Sequence, residues 1–301
     1  MKGERMIEKL TPSRVVFNIL NYTFMILFGA ACILPIWHVA MASLSNPRML
    51  MSASGIIFKP LGEITLDGYR MVLSNANILA GYRNTIIYVV ITTIIMVFGS
   101  ILGGFLLSRN NFKLKGPLAI FIMITMMFGG GMIPSYMVVK NLGMLNTPFA
   151  VILPGCINAF YIMMMKSAFE QLSPSYEEAA KIDGASPMTI VFKILVPMLK
   201  ANIAVIIMFN IIMQWNSWFN ASIYLTKRRD LWPLSLFMRE ILINNDTSKI
   251  ASSLDAEEAS DYAKYLVRHC VTVVGTLPLL AAYPFAQKYF VAGVQMGGVK
   301  G

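Results

Sequence analysis

Charged residues are scarce in this 301-residue chain: Asp, Glu, Lys and Arg together make up 13% of it, against about a quarter in a typical soluble protein. Hydrophobic residues reach 56%. Because so few charged side chains cannot cover a water-exposed surface, the composition excludes a soluble globular enzyme and a disordered chain. It predicts an integral membrane protein.

Cysteine and histidine are also rare, with three and two residues respectively. Cys32, Cys156 and Cys270 are far apart and each lies in an apolar stretch, so we expect neither a disulfide framework nor a metal site. We predict that they are buried as small hydrophobic side chains. His38 and His269 lie within apolar runs, where an isolated histidine is more often a hydrogen-bonded packing residue than a proton relay.

Catalytic motifs are absent from the sequence, which contains no HExxH, no GxSxG and no GxxxxGK[ST] segment. Without a phosphate-binding loop the chain is expected to bind no cofactor, and any ATP and Mg²⁺ must be used by another chain. No Asp, Glu, Lys or Arg lies inside the long apolar runs, which disfavours transport driven by a proton or sodium relay. We therefore predict that this chain is no enzyme.

Six apolar runs are long enough to cross a membrane as helices, which takes about 20 residues each. At the end of the first lies Ala40-Met41-Ala42, which resembles a signal-peptide cleavage site. We keep it as a span, because it is much longer than the apolar region of a signal peptide, about 7 to 15 residues. The six runs cover residues 15–41, 85–108, 117–139, 148–165, 201–222 and 269–287.

The orientation follows from the basic amino-terminus, which carries Lys2, Arg5, Lys9 and Arg14. Positive charge marks the cytoplasmic side, and an even number of spans returns the chain to that side, so both termini are predicted to be cytoplasmic. The basic run at 227–229 would then lie outside, against the rule. The predicted segments are a cytoplasmic amino-terminus at 1–14, a six-helix membrane domain at 15–290 and a cytoplasmic tail at 291–301.

The net charge is +10, from 25 Lys and Arg against 15 Asp and Glu. These basic residues are scattered between the apolar runs and form no stripe, so we expect no nucleic-acid partner. Membrane lipid is the partner that better explains loop charges in such a chain.

The long loop between the fourth and fifth runs begins with a predicted short helix. Ser173 stands before Pro174, and the acidic Glu177 and Glu178 follow in the first turns, which is a typical helix start. Gly184 is a typical stop. On these signals alone, an ordinary solvated loop is the simpler interpretation.

A second helix follows in the same loop, which spans 173–197. Ser186 before Pro187 is its start signal, and Pro197 is predicted to delimit it. The order Glu178-Ala179-Ala180, Gly184 and Ile194-x-Val196-Pro197 then resembles the EAA loop of permease subunits of ATP-binding-cassette importers. Val196 stands where that loop usually has Leu, a conservative change.

The resemblance covers most of the chain and is closest to the maltose-type carbohydrate permeases. It implies the fold of a type I importer permease (MetI-like): an all-α integral membrane protein with six transmembrane helices and a cytoplasmic coupling loop. In that family the loop sits in a cleft of the ATPase. The coupling residues implied here are Glu177, Glu178, Ala179, Ala180, Asp183, Gly184, Ala185 and Pro197.

Three further segments resemble the branch of these permeases associated with oligosaccharides and polysaccharide breakdown products. They are Gly129 to Pro134 with Tyr136, Trp215 to Trp218, and Gln287 to Gly301. The resemblance implies a bacterial cell-membrane location, a second homologous permease forming a heterodimer, two ATP-binding-cassette ATPase subunits and an extracellular solute-binding protein. The loops at 42–84 and 223–268 would face that binding protein, and the tail at 297–301 would contact the ATPases.

Candidate sugar-binding residues follow from the chemistry of carbohydrate sites, which use amide and hydroxyl hydrogen bonds and aromatic stacking. The alternative is that the tryptophans belong to an aromatic belt and the amides bond between helices. In a heterodimer, the second permease is an alternative holder of the sugar. The candidates in this chain are Asn158, Tyr161, Asn210, Gln214, Trp215 and Asn216.

The leading hypothesis is a transmembrane permease subunit of an ATP-driven, binding-protein-dependent oligosaccharide importer, forming half of the translocation pore. A permease for peptides, amino acids or polyamines is the alternative in the same class, because the loop serves the ATPase and says little about cargo. A membrane enzyme or lipid-handling protein is the alternative from another class. It would need carboxylates or histidines clustered at one membrane face, and the sequence displays none.

Overall fold

A computed structural model describes residues 11–243 and 257–298 of the chain. All regular structure in these two segments is helical, which confirms the all-α prediction. In chain order the helices are α1 (Pro12–Ser43), α2 (Pro47–Ser52), α3 (Asp67–Ser74), α4 (Ala76–Ser108), α5 (Lys115–Met127), α6 (Met132–Asn141), α7 (Phe149–Ile152), α8 (Ala159–Glu170), α9 (Ser175–Ile182), α10 (Pro187–Thr189), α11 (Val196–Met198), α12 (Lys200–Trp215), α13 (Phe219–Tyr224), α14 (Leu234–Ile243) and α15 (Glu257–Gly298).

The chain divides into two compact units, Met1–Val72 with Thr247–Val273, and Leu73–Asp246 with Val274–Gly301. In the first unit, α1 begins with a proline at its first position, where the missing N–H costs no hydrogen bond. Only Ala42 and Ser43 of α1 are buried. Its apolar side chains are therefore left for contact with lipid or another chain.

The two histidines meet within this first unit, a contact that sequence spacing did not indicate. Their rings lie 6.1 Å apart between centroids, edge to face. Nδ1 of His38 accepts a hydrogen bond from the Ile57 N–H at 3.0 Å, and Nδ1 of His269 lies 3.0 Å from the Tyr265 carbonyl oxygen. Both side chains thus have hydrogen-bond partners, in agreement with the prediction of packing residues.

The cysteines differ from the prediction at one position. Cys156 and Cys270 are buried, and the thiol of Cys270 donates to the Ser43 carbonyl oxygen at 3.4 Å. Cys32 is exposed on α1, so its predicted burial is wrong for this chain by itself. The physical reason is that α1 buries only its carboxyl-terminal end within its own unit.

The second unit is organised around α4, which packs most extensively against α8 and α12. The side chain of Asn75 caps α4, accepting hydrogen bonds from the N–H groups of Asn77 and Ile78 at 2.9 and 3.4 Å. Because this cap precedes the apolar run, α4 begins at Ala76 rather than at 85.

Three helices among the described residues are long and apolar enough to cross a membrane: Pro12–Ser43, Ala76–Ser108 and Lys264–Pro284. Three bent helix pairs have the same character, and counting each pair as one span gives six, the predicted number. The pairs are Lys115–Met127 with Met132–Asn141 (114°), Phe149–Gly155 with Ala159–Glu170 (41°), and Pro187–Met198 with Lys200–Trp215 (82°).

Two of the bends interrupt the third and fourth predicted runs, which were drawn as continuous. The remaining bend, at Leu199, lies before the fifth run, whose helix ends at Trp215 rather than at 222. The third run is interrupted at Gly129–Gly131, where Gly131 has a φ of +85°, a conformation that suits glycine. The fourth is interrupted around Pro154, which lacks the N–H that an uninterrupted helix uses. A hydropathy window registers neither change, since glycine and proline do not lower the apolar character enough.

Close approach between α4 and α8 depends on a glycine. A Cβ added at Gly104 would lie 2.5 Å from the Cβ of Met165 and 2.8 Å from the backbone nitrogen of Lys166. One added at Gly99 would meet only Ile157, at 3.7 Å. Of these two glycines, Gly104 is therefore the one at which the backbones of α4 and α8 nearly touch.

We predict that Gly104→Ala destabilises the protein by about 1 to 3 kcal/mol, because the new methyl group must displace backbone. Gly99→Ala is the matched control and should be nearly neutral. The measurement is the thermal unfolding midpoint of each purified variant in mild detergent. Equal midpoints for the two variants would contradict this account of the α4 and α8 contact.

Candidate functional site

The short helix α9 is formed by the loop segment singled out in the sequence. It begins at Ser175, two residues after the predicted start, and the backbone N–H of Ser175 donates to Oγ of Ser173 at 3.4 Å. Glu177 and Glu178 lie in its first turn, where negative charge is favourable at a helix amino-terminus.

The end of α9 is the glycine stop that the sequence predicts. The N–H of Gly184 donates to the Lys181 carbonyl at 3.1 Å, and the N–H of Ala185 donates to the Ala180 carbonyl at 2.9 Å. This pair of bonds is the Schellman arrangement, which requires a left-handed residue. Gly184 supplies it with a φ of +75°.

The two sides of α9 meet different surroundings. Ala180 is 5% exposed and packs into a core cluster with Phe169, Ile190 and Leu195. Ile182 on the other side is 86% exposed. The outward residues of the helix are Tyr176, Glu178, Ala179, Lys181, Ile182 and Asp183.

Glu177 belongs to the inward side, although it was grouped with the coupling residues. Its side chain pairs with Arg109 at the end of α4, and with Lys181 at 2.7 Å. A cavity of about 720 Å³ adjoins this pair, with Glu170 and Glu178 among its lining residues. Of two adjacent acidic residues, only Glu178 is available to a partner protein.

The second part of the loop continues past its predicted end. The chain from Ile190 to Leu195 is a π-helix, and α11 carries Pro197 in its first turn. The direction changes at Leu199, between α11 and α12, by 82°. Pro197 therefore does not itself delimit the helix, because a proline is tolerated in a first turn, where the missing N–H is not needed.

Two of the candidate sugar-binding residues precede or begin α8. Oδ1 of Asn158 accepts from the Phe160 N–H at 2.8 Å and so caps the helix. Tyr161 is 7% exposed and lies in the core cluster that also holds Ala180. Both therefore have structural contacts inside the chain.

The remaining candidates lie at the end of α12. Nδ2 of Asn210 donates to Oγ1 of Thr93 on α4 at 2.8 Å. Nε1 of Trp215 donates to the Gly275 carbonyl at 3.0 Å, and Nδ2 of Asn216 donates within its own helix. These bonds agree with the alternative in which polar groups join helices.

Gln214 is the exception in this group. Its Nε2 atom is buried and has no hydrogen-bond partner among the described residues. Buried amide donors are nearly always paired, so an unpaired one is available to a bound molecule. Sequence reasoning could not separate Gln214 from Asn210, since both are amides on the same helix.

A larger cavity, of about 810 Å³, lies beside α12 and α15. Its wall is almost wholly apolar, with Ile207, Ile211 and Leu279 typical of the lining. Sugar sites need converging hydrogen-bond groups, so this cavity does not have the character of a carbohydrate site.

Comparison with known protein families finds a match that covers most of the chain. Residues 78–295 match the family model described as binding-protein-dependent transport system inner membrane component. The match includes α4 through α14, and therefore α9 with the whole loop around it.

Individual relatives are similar along almost their entire length. The polygalacturonan/rhamnogalacturonan transport system permease protein YtcP of Bacillus subtilis is 35% identical, over 95% of this chain and 99% of the relative. The arabinooligosaccharides transport system permease protein AraQ of Halalkalibacterium halodurans is 26% identical, over 89% of this chain and 91% of the relative.

A solved structure has the same fold. A chain of a bacterial ABC transporter involved in the import of the acidic polysaccharide alginate superposes with a TM-score of 0.84 at 28% identity. The match covers 94% of this chain and 99% of that one. The MetI-like importer permease fold expected from the sequence is thereby confirmed.

We predict different outcomes for the two amides of α12. Asn210→Ala should lower stability by about 1 kcal/mol, the usual worth of a hydrogen bond between membrane helices, and leave substrate affinity unchanged. Gln214→Ala should leave the unfolding midpoint unchanged and weaken substrate binding. Thermal unfolding and the KM for uptake separate these effects, and the reverse pattern would remove Gln214 from the candidate site.

Proposed function

The chain belongs to the inner membrane components of binding-protein-dependent transport systems, and we propose that it is one permease subunit of an ATP-driven oligosaccharide importer. Such a chain is a transport subunit and not an enzyme. The names of its relatives favour sugars over the alternative of peptides, amino acids or polyamines.

The observation that carries the proposal is the form of α9. It is a short helix anchored on one side in the core of its unit, with an apolar tip at Ile182 and an exposed carboxylate at Glu178 on the other. An exposed apolar residue flanked by exposed charged ones offers a docking protein both apolar area and polar contacts, the combination found in protein interfaces. We infer that an ATPase subunit covers this one.

Coupling then proceeds by movement of a rigid element. ATP binding closes two ATPase subunits, and α9, seated on one of them, moves with it. The core contacts of Ala180 with Ile190 and Leu195 pass that movement to the segment leading into α12. The spans tilt, and the pore opens to the other side of the membrane.

The number of subunits follows from the number of loops. Each permease has one coupling loop, and two ATPases need two, so the pore contains two permease subunits. The family resemblance favours a second, homologous permease over a second copy of this chain. A solute-binding protein delivers the sugar on the outer side. Of the tail at 297–301, which the resemblance assigns to an ATPase contact, residues 299–301 lie outside the described residues.

We further propose that the sugar is acidic. YtcP is named for polygalacturonan and rhamnogalacturonan, and the structural neighbour belongs to a transporter involved in the import of alginate, an acidic polysaccharide. Both relatives match nearly the full length of this chain. A cargo built from uronic acid units requires cations on the path that it follows.

Arg239 on α14 is suited to meet such a cargo. Its guanidinium carbon lies 3.8 Å from the centroid of the Trp218 ring, and the described residues contain no carboxylate paired with it. Its neighbour Arg229, by contrast, pairs with Glu240. Stacking occupies the face of a guanidinium and leaves its N–H edge free for a carboxylate, while a tryptophan can also stack on sugar.

We predict that Glu178→Lys reduces copurification of the ATPase with this chain about tenfold or more. The introduced lysine would either repel a positive group of the ATPase or remain without an acidic partner in the interface. The measurement is the ATPase to permease ratio after purification from native membranes in mild detergent. Glu63→Lys makes the same charge change on an exposed loop outside α9 and should retain the ATPase. Equal retention in both variants would count against ATPase docking at α9.

We also predict that Arg239→Gln lowers uptake of labelled digalacturonate about tenfold, the effect of losing one charge-assisted hydrogen bond. Arg239→Lys should keep part of the uptake. Arg228→Gln is the matched control, because Arg228 already donates to Asp230 at 2.8 Å, a bond that lowers the pKa of that carboxyl group. Undiminished uptake by Arg239→Gln would remove Arg239 from the cargo path.

A further inference from the structure

The end of α4 is fastened to α9 by an ion pair, and this contact lies outside the coupling motif. Arg109 is the residue directly after α4, and its guanidinium pairs with the carboxylate of Glu177. The two side chains are 24% and 14% exposed, respectively. An ion pair sheltered to this degree is far less weakened by water and salt than a surface pair.

Arg109 is itself held in place on several sides. Its Nε donates to Oγ of Ser108 at 3.1 Å, and its guanidinium carbon lies 4.8 Å from the centroid of the Phe105 ring. That ring in turn meets Phe169 of α8 edge on, at 5.6 Å. Because these contacts already restrict the conformation of the Arg109 side chain, it loses little conformational entropy when it binds a carboxylate.

Two sets of contacts therefore connect α9 to the membrane part of the chain. One is the packing of α9 on the π-helical segment, which continues through α11 into α12. The other is the ion pair to α4, the helix that packs most extensively on both α8 and α12. If a movement of α9 were transmitted only through the first set of contacts, α9 would rotate relative to α4.

We propose that Arg109 is a positioning residue for transport coupling, which locks α9 to the end of α4 through Glu177 so that the two helices move as one body. The proposal rests on the coupling role of α9 proposed above. It assigns adjacent glutamates different tasks: Glu178 faces the ATPase, and Glu177 holds α9 in the orientation in which Glu178 can do so.

Single and double substitutions can show whether Arg109 and Glu177 act as a pair. Removing one partner leaves the other charge sheltered and uncompensated, whereas removing both does not. Arg109→Gln and Glu177→Gln should therefore each lower uptake per ATP hydrolysed about tenfold, and the double variant should lose no more than the worse single variant. ATPase subunits should remain bound in all three, because the outward face of α9 is untouched.

A matched control comes from the connection between α4 and α5. Lys115 pairs with Glu170 of α8 at 3.3 Å, beside the same cavity, and its hydrogen bonds go to Ser108 and Asn110. Lys115→Gln removes one cation from this region and should leave uptake per ATP unchanged. Equal losses in Lys115→Gln and Arg109→Gln would reduce the effect to general loss of charge and overturn the proposal.

A distance measurement tests the lock directly. Spin labels at Ser175→Cys, the first residue of α9 and outside the set of outward residues assigned to the ATPase, and at Leu106→Cys on α4 occupy exposed positions, and the three native cysteines would be replaced. In the assembled complex, the distance between the labels should stay the same when ATP and vanadate trap the closed ATPases. In Arg109→Gln it should change on trapping, whereas a merely structural role would shift it equally in both nucleotide states.

These outcomes separate this proposal from the proposed function. If the unsubstituted chain purifies without any ATPase, the importer assignment fails. If the ATPase is bound but the label distance in Arg109→Gln stays constant on trapping, or the double variant is worse than either single one, then the lock is overturned while the importer assignment stands.

Discussion

The structure depends on one constraint: inside a bilayer, backbone N–H and C=O groups must find partners within the protein. Helices meet that requirement at every residue, so all regular structure among the described residues is helical. Two of the breaks fall where glycine or proline is present, at Gly131 and Pro154, and a third bend lies at Leu199. With these bends, three bent helix pairs accompany the three long apolar helices of the described residues.

The same constraint concentrates charge at the ends of helices. Arg109 follows α4, Lys115 begins α5 and Glu170 ends α8, and these side chains form ion pairs next to the loop that carries α9. A loop lying on such a charged layer can be held rigidly without being buried in hydrocarbon. This explains how a helix of eight residues, too short to be stable alone, keeps a defined orientation.

Most of the candidate polar side chains inside the spans already form hydrogen bonds within the chain. Asn210 joins α12 to α4 and Trp215 reaches a carbonyl of α15, so few donors are left for a sugar within this one chain. That scarcity fits a pore built from two permeases, in which the cargo meets each chain only in part. Weak, shared contacts also suit transport, since a cargo held firmly by one subunit would not be released.

The sequence by itself determined the class of protein and the start and stop signals of α9, because composition, caps and a left-handed glycine are local properties. Its six apolar runs equal the number of spans obtained when each bent helix pair is counted once. It also contained the loop pattern whose resemblance pointed to the family that residues 78–295 match. Only the tertiary structure decided that Glu177 faces inward while Glu178 faces out, that Gly104 rather than Gly99 is the close contact, and that Gln214 lacks a partner. These depend on which surfaces meet across residues far apart in the chain, and local patterns carry no information about that.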